Sequence, residues 1–223
     1  PGLSSNKPEP PSYCPTRMHP DLAEKAWQKL RSEVAEFTFK SSIVENAAYL
    51  KDRPGEMHLP VINLTTRLEE LIYVAALMNY RKLGIAFCEQ LRKEAQTLTS
   101  ILENKGFDVV SVSCKVGAVP KESVGLEAEQ KLGGTGTSET TCSGIIQACI
   151  LNNENVDFAV LLGLCVGQDA LYFKYADHLT TVLVVADRTF GHNPVQGLYA
   201  SQGYYNRLTD KSYLAEVLAK MPK

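Results

Sequence analysis

The sequence lacks several features that would place the protein in a special structural class. Of its 223 residues, 15 are glycine and 11 are proline, which is too few for a fibrous or low-complexity chain. A formal net charge of −2 provides no basic excess for binding nucleic acid or an anionic membrane. No apolar run approaches the roughly 18 residues of a membrane span. These absences predict a cytoplasmic globular protein with no nucleic-acid or membrane partner.

Cysteine is present, but not in the patterns of the common cysteine-rich proteins. The six cysteines are too few for a disulfide scaffold, and no two of them form a CxxC pair. Their spacing therefore excludes zinc-finger and thioredoxin-type motifs. The role of these thiols depends on where the fold places them.

The first 80 residues are predicted to form helices after a short extended arm. Five prolines in residues 1–18 oppose helix formation and indicate the arm. Pro20 can begin a helix, and apolar residues follow it at helical spacing. A capping box formed by Thr66 and Glu69 predicts a further helix. We expect this helical region, residues 19–80, to pack on the remainder of the chain.

The pattern changes after residue 80, where short apolar runs alternate with helical segments. Four such runs predict β-strands, at residues 83–87, 107–113, 156–164 and 180–186. Continuous apolar strands that alternate with helices indicate a parallel sheet covered on both faces. We therefore predict an α/β protein, in which residues 81–223 form a three-layer Rossmann-like parallel sheet and the N-terminal helical region is an extension of it.

Three cysteines lie at the ends of successive predicted strands. They are Cys88, Cys114 and Cys165. The carboxyl ends of parallel strands meet at one edge of a sheet, so we expect these sulfurs within about 10 Å of one another. Cys142 opens the next helix after a Gly/Thr-rich stretch and can fold over the same edge. Cys149 is surrounded by isoleucines and is predicted to lie in the core.

Four thiols at one edge predict a cysteine-ligated metal. Zinc needs its sulfurs within roughly 4 Å of each other, because each Zn–S bond is about 2.3 Å long. Neighbouring strands are about 4.8 Å apart, so ligands on three strand ends favour an iron–sulfur cluster of the [4Fe–4S] type, with zinc as the alternative. The predicted ligands are Cys88, Cys114, Cys142 and Cys165.

Polar residues at the same edge are candidates for cofactor binding or catalysis. Gly167 and Asp169 open the helix after the third predicted strand, where Gly167 permits close approach to the backbone. Lys115 can lower the pKa of a thiol, and Arg188 can bind an anion. His192 can act as an acid–base group or a further ligand. Asp169 and His192 are the catalytic candidates, and the other three are the cofactor-binding candidates.

Four ordered motifs resemble the DUF1847 family, which has no assigned function. They are GIAFC at 84–88, VVSVSCKVG at 109–117, GLCVGQD at 163–169 and GHNPV at 191–195. The resemblance extends roughly from Cys14 to Leu208. Family members usually begin with a short cysteine-rich segment ahead of a CPTR-like sequence. Residues 14–17 match the CPTR-like sequence, and Cys14 either approaches the site or belongs to a missing cluster. The family is described as metal-binding proteins of anaerobic bacteria and archaea, so the resemblance implies metal binding.

Three functions are therefore open. The first is an iron–sulfur protein that binds a small molecule or transfers electrons to a redox partner, including an enzyme that acts on a small sulfur-containing substrate. The second is a zinc protein or metal carrier without catalysis. The third is a metal-free thiol enzyme, with Cys88 or Cys165 as nucleophile and His192 as base. A homo-oligomer is compatible with each of them.

Overall fold

The computed structural model describes residues 11–49 and 65–221, which belong to two compact units. The first unit ends at Met78 and the second begins at Asn79. Among the described residues of the first unit, the regular elements are all helices: α1 (Pro15–Met18), α2 (Pro20–Ser32), α3 (Ala35–Tyr49) and α4 (Arg67–Leu77). The second unit contains the β-sheet. The expected packing of the N-terminal helices on the sheet stays a prediction.

Helix starts in the first unit follow their signals in the sequence. Proline occupies the first position of α1 and α2, where its missing N–H loses no hydrogen bond. The capping box of α4 is present: the Glu69 N–H donates to Thr66 Oγ1 at 3.3 Å, and the Thr66 N–H donates to the Glu69 carboxylate at 2.7 Å. The arm differs from the prediction, because Pro15 begins a helical turn there.

The second unit is an α/β fold whose four strands are all parallel. The strands are β1 (Lys82–Phe87), β2 (Asp108–Ser113), β3 (Phe158–Leu164) and β4 (Leu179–Val185), in the spatial order β2-β1-β3-β4. The helices are α5 (Arg92–Asn104), α6 (Gly144–Asn153), α7 (Val166–Tyr175), α8 (Val195–Ala200) and α9 (Tyr213–Lys220). The predicted α/β fold with a parallel sheet is confirmed. Within the two described ranges, no helix combines the length and apolar character needed to cross a bilayer.

Successive strands are added to the sheet first on one side of β1 and then on the other. The neighbours of β1 are β2 on one side and β3 on the other, so the crossover through α5 runs opposite to the later crossovers. Because such crossovers are right-handed, α5 covers one face of the sheet, and α6 and α7 pack side by side on the other. A change of side of this kind opens a crevice between the carboxyl ends of two adjacent strands, here β1 and β3. Cys88 and Cys165, which follow β1 and β3, frame this crevice.

The core between the sheet and the pair α6 and α7 is apolar and includes two of the cysteines. Every residue of β3 is buried. Side chains from three strands and two helices fill this core; they include Ala86, Val112, Ala148, Leu151, Val156, Ala159, Leu161, Leu164 and Tyr172. Cys88 and Cys114 belong to the same cluster and are 7% and 2% exposed. A buried core therefore supports the backbone beneath the candidate site.

A buried tyrosine–histidine pair joins α7 to the start of β4. The Tyr172 side chain is fully buried, and its hydroxyl lies 2.8 Å from His178 Nε2. Burial lowers the pKa of His178, and the nearby Asp177 carboxylate opposes that shift. The unfolded chain therefore takes up a proton at this histidine more readily than the folded chain does. Protonation consequently favours unfolding once the pH falls below about 6.5, the ordinary pKa of histidine.

We expect the free energy of unfolding to decrease from about pH 7.5 to about pH 5.5, and to decrease less in the His178→Gln variant. Glutamine takes up no proton in this range, so its contribution is the same at both ends. Urea denaturation at each pH measures the effect. His19→Gln, at an exposed histidine of the first unit, is the control and should behave like the wild type. An equal acid-induced loss in His178→Gln and wild type would contradict this account.

Candidate functional site

Four cysteines line one small cavity at the carboxyl edge of the sheet. Cys114, Cys88 and Cys165 follow β2, β1 and β3, three strands adjacent in that order. Cys142 lies just before α6, and Gln168 contributes to the wall. The cavity has a volume of ≈ 10 Å³, room for about one water-sized sphere. The structure thus brings the four sequence-predicted metal ligands to one place.

The thiol of Cys114 is central in this group. Hydrogen bonds with Cys142 and Cys88, together with burial, raise the pKa of Cys114 far above its ordinary value. The bond from Cys114 is also the largest cause that lowers the pKa of Cys88 and the pKa of Cys142. The Glu89 backbone N–H donates to Cys114 Sγ at 3.4 Å. Cys88 and Cys142 are therefore biased toward the thiolate, which is the form that binds metal and attacks electrophiles.

Two cationic side chains lie near sulfurs of the cavity. The Arg188 guanidinium donates to Cys165 Sγ at 3.4 Å and to the Gln90 side-chain oxygen at 3.1 Å. The Lys115 ammonium group is close to Cys142, where its charge and its hydrogen bond both lower the pKa of that thiol. Positive charge beside a sulfur stabilises the thiolate. The structure therefore places two of the cofactor-binding candidates, Lys115 and Arg188, at the cysteines.

The other three candidates lie outside the wall of the cavity. Gly167 is exposed in the first turn of α7, and a Cβ there would meet no atom within 4 Å. The Asp169 carboxylate accepts the next backbone N–H at 2.7 Å. His192 Nδ1 lies 2.9 Å from the Val185 carbonyl oxygen and 3.2 Å from the Asp187 backbone nitrogen, so its own loop holds this atom. Roles for these three residues in catalysis or cofactor binding stay predictions.

Cys149 and Cys14 are the two cysteines outside the cavity. The prediction that Cys149 lies in the core is wrong, because its side chain is exposed. Helix α6 is mostly apolar and its apolar residues are not confined to one face, so its hydrophobic pattern does not reveal which face is buried; Ala148 and Leu151 fill the core instead. Cys14 lies in the first unit directly before α1, and the backbone N–H of Thr16 is the largest cause of its lowered pKa.

Two glutamines support the edge of the sheet, and the sequence analysis did not identify either. Gln147 is fully buried, and its amide nitrogen donates to the carbonyl oxygens of Phe87 at 3.2 Å and Val112 at 2.8 Å. It therefore ties together the ends of β1 and β2. Gln168 Oε1 accepts the Gly144 N–H at 2.7 Å and ties α7 to α6. The one sequence feature that could have indicated Gln147 is its position as a polar residue inside an apolar run, IIQAC at residues 145–149.

Ion pairs hold the loop that carries Cys142 between β2 and α6. Lys121 pairs with Glu139, and Lys131 pairs with Glu122. The Lys121 ammonium, with a backbone N–H of the same loop, lowers the pKa of Glu139 to about 2. The Glu139 carboxylate therefore stays charged at neutral pH and keeps its partners. These contacts order the Gly/Thr-rich stretch that precedes Cys142.

We expect Glu139→Gln to loosen this loop, because the neutral amide loses the charge that attracts Lys121. Amide hydrogen exchange in residues 121–141 should become faster, with little change in the strands. Glu129→Gln, at an exposed carboxylate of the same loop, is the matched control and should exchange like the wild type. Unchanged exchange in Glu139→Gln would show that the ion pair does not order the loop.

Comparison with known proteins identifies the family. The family described as "Protein of unknown function (DUF1847)" matches residues 14–183. The chain belongs to the DUF1847 family. The matched range contains all four cysteines of the cavity, and the resemblance expected from the motifs is confirmed. Another protein similar to this DUF1847 chain is "Uncharacterized protein MJ0455" of Methanocaldococcus jannaschii, 42% identical over 140 residues that cover 63% of this chain and 69% of the relative. No solved structure matches the chain significantly.

Proposed function

We propose that this DUF1847 protein holds a metal centre on four cysteine thiolates at the carboxyl edge of its sheet. The observation that supports the proposal is the convergence of Cys88, Cys114, Cys142 and Cys165 on one cavity. Thiolates are soft donors, and both iron–sulfur clusters and zinc use sets of four of them. Within the described residues, no three His, Cys, Asp or Glu side chains already form a closed site around one ion. Metal binding here therefore includes a reorientation of the thiols.

The charges around the cavity support the same proposal. Four thiolates around a divalent ion leave a net charge of about −2, which is costly in a partly buried site. Arg188 donates to the sulfur of Cys165, and Lys115 lies beside the sulfur of Cys142. The two cations offset that negative charge where it would develop. Four neutral thiols that only packed in the core would not need such cationic partners.

The order of the strands favours an iron–sulfur cluster. Cys114 and Cys165 follow β2 and β3, which lie on opposite sides of β1. Their backbones are therefore separated by roughly twice the strand spacing of about 4.8 Å. A cluster of several irons takes sulfurs over a wider span than one zinc ion with bonds of about 2.3 Å. In this role the protein is a cytoplasmic iron–sulfur protein that binds a small molecule or exchanges electrons with a redox partner.

The size of the cavity favours zinc as a second candidate. A volume of ≈ 10 Å³ admits one small ion without movement of the strand ends, whereas a cluster requires the thiols to spread apart. A zinc ion on four thiolates is usually structural. This candidate therefore implies stabilisation or metal carriage rather than redox chemistry. The metal-free thiol enzyme has less support, because the proposed base His192 is not among the residues that line the cavity.

Anaerobic purification followed by metal and sulfide analysis tests the proposal. A [4Fe–4S] protein should contain about four irons and about four sulfides and should absorb visible light. The second candidate requires one zinc ion per chain and no colour. Cys149→Ser is the matched control, since Cys149 is exposed and lies outside the cavity. Protein that takes up neither iron nor zinc, even after reconstitution, would contradict a metal centre and favour the thiol enzyme.

A further inference from the structure

A larger groove lies beside the cysteine cavity, between α5 and the side chains of β2. Its volume is ≈ 450 Å³, within the range of roughly 300–1,000 Å³ that small-molecule sites occupy. One face of α5 supplies Arg92, Gln96, Thr99 and Ser100, which follow helical spacing, and β2 supplies Ser111. Since β2 is the edge strand of the sheet, α5 packs against it with one side of the groove open to solvent. The groove is therefore accessible from outside the second unit.

Several polar side chains of this groove are unused by the protein itself. In the described part of the chain, the side-chain amide of Gln96 and the hydroxyls of Thr99 and Ser111 make no hydrogen bond to another protein group. Thr97 of the same helix behaves differently: it does not line the groove, and its hydroxyl donates to the Lys93 carbonyl oxygen at 3.1 Å. Helical threonines commonly make this local bond. The groove thus offers free donors and acceptors from two elements to a bound molecule.

The charges of the groove cancel. Glu89 and Arg92 form an ion pair at one end, and the Ser113 hydroxyl donates to the Glu89 carboxylate at 2.6 Å. The carboxylate already has two partners, so it does not need a cation from a ligand. Phe87 and Ala95 add an apolar surface to the wall. These features suit an uncharged ligand with hydrogen-bonding groups better than a phosphate or a metal ion.

One residue connects the groove with the cysteine cavity. The Glu89 backbone N–H donates to Cys114 Sγ at 3.4 Å, whereas the Glu89 carboxylate lines the groove. Glu89 also directly follows Cys88 in the chain. Glu89 therefore belongs to the wall of the groove and also contacts a sulfur of the cysteine cavity.

We propose that this groove binds a small uncharged molecule that carries several hydroxyl or amide groups, next to the cysteine cavity. Its free polar groups hydrogen-bond the ligand, and the apolar wall covers part of the ligand surface. The ligand contacts come from α5 and β2 and not from the thiols. Binding therefore does not require a metal, and this inference stands apart from the proposed metal centre.

NMR titration of the folded protein as purified, with uridine and with N-acetylglucosamine, tests the proposal. Both probes are uncharged and carry hydroxyl and amide groups. At least one should shift the backbone amides of Ser100 and Ser111 and should bind tighter than uridine monophosphate. Gln96→Ala and Ser111→Ala should each weaken that binding about fivefold, the effect of about one lost hydrogen bond. Thr97→Ala is the matched control, because it removes a hydroxyl of the same helix outside the groove.

Three results would overturn the proposal. The first is the absence of groove shifts with either uncharged probe at about 20 mM. The second is tighter binding of uridine monophosphate, which would assign the groove to anions. The third is equal weakening by Thr97→Ala and by the groove variants. Because the titration reads amide shifts in α5 and β2 rather than metal content, its failure is distinct from failure to find a metal.

Discussion

Replacing any one of Cys88, Cys114, Cys142 or Cys165 by serine should remove most of the bound metal. A serine hydroxyl stays protonated near neutral pH and is a hard donor, so it cannot replace a thiolate on iron or zinc. We expect metal affinity to fall by more than about tenfold in each variant. Metal analysis after anaerobic purification measures the loss, and far-UV circular dichroism confirms that each variant is folded.

The four losses should not be equal. Cys88, Cys114 and Cys165 directly follow strands, whereas Cys142 lies at the end of a loop held by ion pairs. The Cys142→Ser variant should therefore retain more metal than the other three. Cys149→Ser should retain all of it, because the Cys149 side chain is exposed and outside the cavity. If all four cavity variants kept their metal, the four cysteines would be ordinary packing residues and not metal ligands.

A second large effect is expected from the substitution Gly144→Ala. A Cβ at Gly144 would lie 2.1 Å from the backbone oxygen of Gln168, and no side-chain rotation can relieve that overlap. Helices α6 and α7 would have to move apart in a close-packed core, which should cost about 3 kcal/mol or more of unfolding free energy. Urea denaturation measures the loss. Because Cys142 and Cys165 lie at the starts of these two helices, metal affinity should fall as well.

Gly167→Ala provides the matched comparison. Gly167 is also in the first turn of a helix at this edge, but a Cβ there meets nothing within 4 Å. Alanine is a better helix former than glycine, so stability should be unchanged or higher by up to about 1 kcal/mol. Equal destabilisation by both substitutions would show that the close approach of α6 and α7 is not the cause.

Apolar runs and helix signals were sufficient to predict the four strands and the parallel sheet. They also predicted the cysteine edge, because residues that follow parallel strands share one end of a sheet whatever the order of the strands. The order itself, with β1 between β2 and β3, is not encoded in the pattern of any single strand. It depends on the packing of helices that are distant in sequence.

Other parts of the site depend on which way a helix faces. Cys149 and Gln147 lie in the same apolar helix, and the polar one of the pair is buried while the thiol is exposed. The ordinary burial preferences of the two residue types predict the opposite. Gln147 is buried because it hydrogen-bonds two strand ends, a tertiary contact. The groove beside α5 was not predicted either. Its polar residues on α5 line a groove only because the helix packs beside the edge strand β2.

The central position of β1 also affects the order in which the protein can be assembled during synthesis. Cys88 and Cys114 follow adjacent strands early in the second unit, whereas β3 can pair with β1 only after Phe158–Leu164 has left the ribosome. Parallel pairing between such distant segments is slow. A nascent chain should therefore hold Cys88, Cys114 and Cys142 before Cys165 arrives. Until β3 joins the sheet these thiols lack their folded surroundings, and exposed thiols are the ones most susceptible to oxidation.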